Sequence, residues 1–164
     1  MNWYLFVKFL HVTSVAITIG SVFARQLVRG IARRSNNLNE VAALTRAAIR
    51  MDRALVIPSS NIMVLMGIIL AVMLKWPIFG FLQGADQNWL LVSNILLIGL
   101  MIMIGGMFIP HNKKVDALLQ TALAENRLTP ALRSALNDKT NRWMHHIEEV
   151  IFLLIAALMV LKPF

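Results

Sequence analysis

His11, Ser14, Thr18, Ser21 and Arg25 recur at steps of three, four, three and four residues. On an α-helix that spacing lays all five along one face. A file of imidazole, hydroxyl and guanidinium groups is what a proton or ion path needs, and a lone histidine is a candidate ligand for metal or haem iron. Asn61, Asn94 and Glu148 are the polar residues expected opposite this file, which makes a network of His11, Ser14, Thr18, Ser21, Arg25, Asn61, Asn94 and Glu148. Asn94 is expected beside His11, and the Ser59–Asn61 segment beside Thr18 and Ser21. The competing explanation is packing: Ser, Thr and Asn bond between apolar helices for about 0.6 to 2 kcal/mol each. Packing is the preferred reading for Ser14, Thr18, Ser59 and Ser60. For His11 both readings stay open, because imidazole deep in a span needs a partner. Arg25 is expected to snorkel toward the basic surface and meet Glu148, Glu149 or lipid phosphate, as a structural ion pair rather than a catalytic one.

A second group sits near the other end of the chain. His145, His146, Glu148 and Glu149 are spaced so that i, i+3 and i+4 pairs form. Together with His111, the set His111, His145, His146 and Glu149 could bind a divalent metal. Adjacent residues on a helix splay by about 100°, so at most half of these groups converge. A charged helix start at an interface is the preferred reading. Haem b on His11 would need Met66 or a partner chain as second ligand, since the other histidines lie about 18 Å away along the helix axis. The ten methionines form no tight stripe, and flexible packing accounts for them better than copper does. With no cysteine there is no disulfide and no thiol nucleophile. No nucleotide loop, triad or paired catalytic carboxylate is present.

The elements that must position these groups follow from hydropathy. Of the 164 residues, 58% are hydrophobic, and the mean hydropathy is +0.67. Soluble domains are nearer half apolar. The excess lies in four runs, about 3–24, 54–74, 88–109 and 143–161, each long enough to cross a hydrocarbon core about 30 Å thick. Little chain remains for a second domain, so residues 1–164 read as one four-helix membrane domain. Trp3, Tyr4, Trp76, Trp89 and Trp143 fall at run ends, where amphipathic rings prefer the interface.

The net charge of +8 does not signify nucleic acid, because the positive residues cluster beside the spans and would face anionic lipid. The first loop carries seven arginines between Arg25 and Arg53. The third carries Lys113, Lys114, Arg127, Arg133, Lys139 and Arg142. The second has only Lys75 at its edge and Asp86. The positive-inside bias puts loops one and three in the cytoplasm of a bacterial-type inner membrane, with both termini outside. The first run has no basic segment before it, which argues against a cleavable signal. Apolar spacing at Val41, Leu44, Ala48, Met51 and Leu55 predicts an amphipathic helix over about 37–53, with Asn37 and Glu40 as a capping box. Span three is expected to continue past Pro110 as a helix over 111–125, turn near Asn126, and return from Thr129-Pro130 as a helix over 130–142 running into span four.

These residues resemble a known family. Lys8-Phe9-Leu10-His11-Val12, the small-residue stretch to Gly20, Arg25, Asp52, Pro58, Gly67, Asn88-Trp89-Leu90, Pro110 and the ending Met159-Val160-Leu161-Lys162-Pro163 look like the predicted integral membrane proteins of domain-of-unknown-function family 2269. The similarity spans the whole chain. Usual members carry a tryptophan near position 18 or 19 and an aromatic before Pro110, where this chain has Thr18, Ile19 and Ile109. The resemblance implies four helices and no defined activity. More distantly, Lys8-x-x-His11 is similar to the first helix of copper-resistance-D-type membrane proteins and haem-containing membrane protoporphyrinogen oxidases. That similarity implies a haem ligand at His11.

The expected protein is therefore an all-α membrane four-helix bundle, N-out and C-out, with helical cytoplasmic extensions. The preferred function is a non-enzymatic structural or interaction subunit. The alternatives are a haem- or metal-binding redox protein centred on His11, and a proton or metal-ion permease using the polar face of span one. The lipid bilayer is one partner. Ala16, Gly20 and Ala24 form a small-residue face that suits a homo-oligomer or a larger membrane complex as well as packing inside the bundle.

Overall fold

The computed structural model describes residues 2–163. It contains seven α-helices, and no strand occurs among the described residues. α1 runs Trp3–Arg34, α2 Leu38–Met51, α3 Ile57–Met73, α4 Trp89–Met103, α5 Ile109–Ala124, α6 Pro130–Leu136 and α7 Lys139–Leu161. Four helical stretches are long and apolar enough to cross a membrane: Trp3–Arg34, Leu38–Met73, Trp89–Ala124 and Pro130–Leu161, the last interrupted at Asn137–Asp138.

Two of these stretches share one irregularity. A π-helical turn, Asp52–Val56, joins α2 to α3, and another, Ile104–Phe108, joins α4 to α5. Each precedes a proline, Pro58 or Pro110. Proline has no N–H, and its ring clashes with the carbonyl four residues back. The helix accommodates it by slipping register: the N–H of Ile57 reaches the Asp52 carbonyl and that of Ile109 reaches Ile104, each five residues back. The chain thus crosses both prolines without breaking.

α1 is longer than its apolar run. Asn2 caps it by accepting from the N–H of Tyr4 at 3.1 Å. It then continues to Arg34, ten residues beyond the expected span end at Ala24, because arginine is a good helix former. At about 1.5 Å per residue it is roughly 48 Å long, well beyond a 30 Å core. The sequence also predicts one helix from Pro130 into span four; the structure breaks it at Asn137–Asp138, where Asp138 caps α7 by accepting from the N–H of Thr140 at 2.8 Å. Asn126 makes the turn between α5 and α6 in the left-handed region, φ 51°.

α1 packs along α3 and also meets α7, while α4 packs on α7. Val22, Met63, Leu100 and Phe152 form the shared centre of the four long helices. At the neutral end, Trp89 and Leu90 bury against Ala71, and Lys162 Nζ sits 4.2 Å from the Trp76 ring centre. Gly80 is required there: its φ is +52°, and a Cβ would lie too close to Asn88 Oδ1, which accepts from the N–H of Phe81 at 2.8 Å. At the basic end, Val41, Ala42, Val115, Leu119, Ala122, Leu132 and Ala135 make a separate core beyond the spans. Ile95, Ile98, Ile102, Leu65 and Val72 stay exposed, the belt expected where lipid is the solvent.

Candidate site: a buried ionic network at the basic end

The polar file of α1 turns inward. Ser14, Thr18, Ser21 and Arg25 are buried and His11 is half-buried. The Nδ1–H of His11 donates to the Met63 carbonyl of α3 at 2.8 Å. Its ring fills the space beside Gly67, where a Cβ would come within 3.0 Å of the His11 Cε1. Two turns of α1 closer to the basic end, the Thr18 hydroxyl meets Ser59 Oγ at 2.7 Å. Ser59 spends its own proton on the Leu55 carbonyl at 2.6 Å, so Thr18 is the donor.

Two expected members of this network lie elsewhere. Asn61 is exposed, because it follows Ser59 by two residues and so points about 200° away from the face that Ser59 and Met63 present to α1. Asn94, expected beside His11, instead donates to the Ile78 carbonyl at 3.2 Å and holds the connecting loop at the neutral end.

Arg25 does not snorkel. It is 4% exposed, and its two Nη atoms donate to Asp52 Oδ1 and Glu148 Oε2, each at 2.5 Å. Arg29 lies one turn further on the same face. Its Nη2 donates to Asp52 Oδ2 at 3.2 Å and to Asn112 Oδ1 at 3.4 Å. Its Nη1 meets His145 Nε2 at 2.6 Å. A guanidinium only donates, so Nε2 must carry the lone pair. His145 is then the neutral Nδ1–H tautomer, donating to Glu148 Oε2 at 2.9 Å. Phe108, the last residue of the second π turn, stacks on the imidazole with ring centres 4.1 Å apart. Asp52 opens the first π turn. Both register slips therefore place a residue directly in the network.

Two guanidinium charges face two carboxylates across a neutral imidazole, so the cluster balances. Both Nη atoms of each arginine and both oxygens of Asp52 are bonded; of the fully buried side-chain atoms described in the cluster, Arg25 Nε alone lacks a partner. Balance and pairing are what allow such a cluster to exist out of water. Chemically, it clamps α1, the α2–α3 junction, α5 and α7 at one level. Asp52, Arg29 and Asn112 are absent from the network predicted by sequence. The signal for Arg29 was its position four residues after Arg25. Asp52 stands in the sequence among the residues that carry the family resemblance and as a single acid between Arg50 and Arg53, with nothing local that pairs it with Arg25.

The proposed metal set is not brought together. His145 is saturated inside the network, while His146 faces outward and pairs with Glu149 at 3.1 Å. His111 Nδ1 lies 3.8 Å from Asp138. Among the described residues no three His, Asp or Glu side chains are placed to share an ion. The roughly 100° between His145 and His146 is the reason.

Haem fits His11 poorly. Its ring is pressed against Gly67 and tied to Met63, so a macrocycle between α1 and the Met63–Gly67 turn, with Met66 as the opposite ligand, would displace both contacts.

Fold and site together define an all-α, four-helix integral membrane protein whose basic end is locked by a buried ionic cluster. The family described as Predicted integral membrane protein (DUF2269) matches residues 5–163, and the chain belongs to that family. No curated protein and no solved structure matches it.

Proposed function

We propose that this protein is a non-enzymatic structural or interaction subunit, held in a bacterial-type inner membrane with its basic end in the cytoplasm and residues 2 and 163 outside. The carrying observation is that His11, Thr18 and Arg25 are each bonded within the chain, which supports a rigid bundle rather than a hydrated path. A second observation concerns the layer of α2, α5 and α6. It has its own core, so it presents a defined surface beyond the bilayer. Orientation rests on the clustering of arginine and lysine at one end.

The test is crosslinking in native membranes, made simple by the absence of cysteine. Ser134→Cys on exposed α6 should yield one discrete crosslinked membrane partner or dimer, and Ile98→Cys on the lipid face should not. Failure of the Ser134 crosslink together with proton or divalent-ion flux in proteoliposomes overturns the reading in favour of a permease. For orientation, an impermeant maleimide added to intact cells should label Gln87→Cys and spare Ala124→Cys. The reverse pattern inverts the topology.

The redox alternative retains one supporting observation, the Nε2 of His11, which has no bonding partner among the described residues. The expected result is a purified protein without a Soret band. A Soret band that disappears in His11→Ala would replace the structural reading with a haem protein.

A further inference from the structure

Beside the ionic network lies a small pocket of about 50 Å³ whose wall is mostly apolar and into which polar groups of Arg29, Arg33, Thr45, His111, Asn141 and His145 are set. One water needs about 10–15 Å³ of such space, so the pocket holds three or four waters, or one tetrahedral oxyanion of five heavy atoms. Ala48, Val115 and Leu136 supply its apolar wall. The lining contains no carboxylate among the described residues.

The donors divide into two sets. Arg29 and His145 are engaged in the network. Arg33, His111 and Asn141 make no side-chain hydrogen bond among the described residues. Asp138 Oδ2 stands 3.8 Å from His111, beyond hydrogen-bond range, while Oδ1 of the same carboxylate caps α7. Burial first, and then the like charges of Arg142 and Arg34, disfavour the charged form of Arg33. A half-buried guanidinium with like charges around it and no counter-ion is stabilised by a bound anion, and planar guanidinium suits phosphate oxygens in particular.

We propose that this pocket binds a phosphate-class oxyanion, held by Arg33, His111 and Asn141 with Arg29 at its back. The anion's charge offsets the Arg33–Arg34–Arg142 cluster, and its oxygens accept from donors on α1, α5 and α7. Those elements meet beyond the apolar spans, where either a free phosphate or the headgroup of an anionic lipid can enter. The bound anion would join the basic-end helices at a level beyond the Arg25 network.

The experiment measures thermal unfolding of the full-length protein in phosphatidylcholine nanodiscs. Inorganic phosphate is titrated in one arm, with sulfate-free chloride at equal ionic strength as control. A second arm uses nanodiscs of equimolar phosphatidylcholine and phosphatidylglycerol. A saturable rise in melting temperature with phosphate identifies the free ion, and a rise only with phosphatidylglycerol identifies the lipid headgroup. In the phosphate arm Arg33→Gln and Asn141→Ala should each raise the half-saturating concentration by about tenfold, and in the phosphatidylglycerol arm each should remove most of the rise. Arg50→Gln, an exposed arginine outside the pocket, should leave it unchanged. No rise in either arm overturns the proposal. So does an equal loss in Arg33→Gln and Arg50→Gln, which would mean general charge screening. Asn141→Ala keeps the test valid if Arg33→Gln does not fold.

Discussion

Arg25→Ala lowers the stability of the detergent-solubilised protein by about 3–5 kcal/mol, the cost of leaving buried charge without its partner. Among the described residues, Arg25 alone bonds to both Asp52 and Glu148. Without it, the cluster changes from two positive and two negative charges to one and two. Asp52 keeps Arg29 at 3.2 Å, but Glu148, 1% exposed, keeps only the neutral His145. Equilibrium unfolding followed by circular dichroism reads the loss. The double variant Arg25→Met with Glu148→Met should be more stable than Arg25→Ala, since one positive and one negative charge remain and the pair is replaced by apolar volume. If Arg25→Ala is nearly silent, the guanidinium is solvated and the network is not a clamp.

Gly67→Leu separates α1 from α3. At an open helical position glycine to leucine is stabilising, because glycine costs up to about 1 kcal/mol in a helix. Here the added Cβ alone meets His11 Cε1 at 3.0 Å, and the rest of the side chain has to displace the imidazole. Overpacking costs about 1–3 kcal/mol, and loss of the His11–Met63 bond adds about 0.5–1.5 kcal/mol. The net sign is therefore destabilising, by about 1–3 kcal/mol. His11→Ala in the same chain vacates the space, so the double variant should recover much of that loss. A Gly67→Leu protein that unfolds later than wild type would show that the two helices do not approach this closely.

How far each feature was legible depends on the range of the interaction behind it. The inward direction of Ser14, Thr18, Ser21 and Arg25 was readable because helix periodicity is local and hydrocarbon penalises exposed hydroxyl and guanidinium groups. The pairing of Arg25 with Glu148 was readable as one of several options by depth along the axis. Position along the helix axis brings Asn61 level with Thr18 and Ser21, but its azimuth points it away from α1. Asn94 differs from expectation for a related reason: two polar groups at similar depth need not share an interface. The break at Asn137–Asp138 lies in the all-polar run Asn137–Arg142, where Thr129-Pro130 is the stronger helix start in sequence and Asp138 supplies a second N-cap.

By itself the sequence determined the helical class and the number of long apolar stretches, since these depend on run length and on backbone hydrogen bonds that lipid cannot replace. It determined the basic and neutral ends as well, because charge is a property of composition. Only the tertiary structure decided which charges meet. Asp52 meets the network where the first π turn opens, ahead of Pro58, and Phe108 covers His145 where the second π turn closes, ahead of Pro110. A register slip of one residue rotates every following side chain by about 100°, and nothing in the spacing of a single helix shows where its neighbours will be after that rotation.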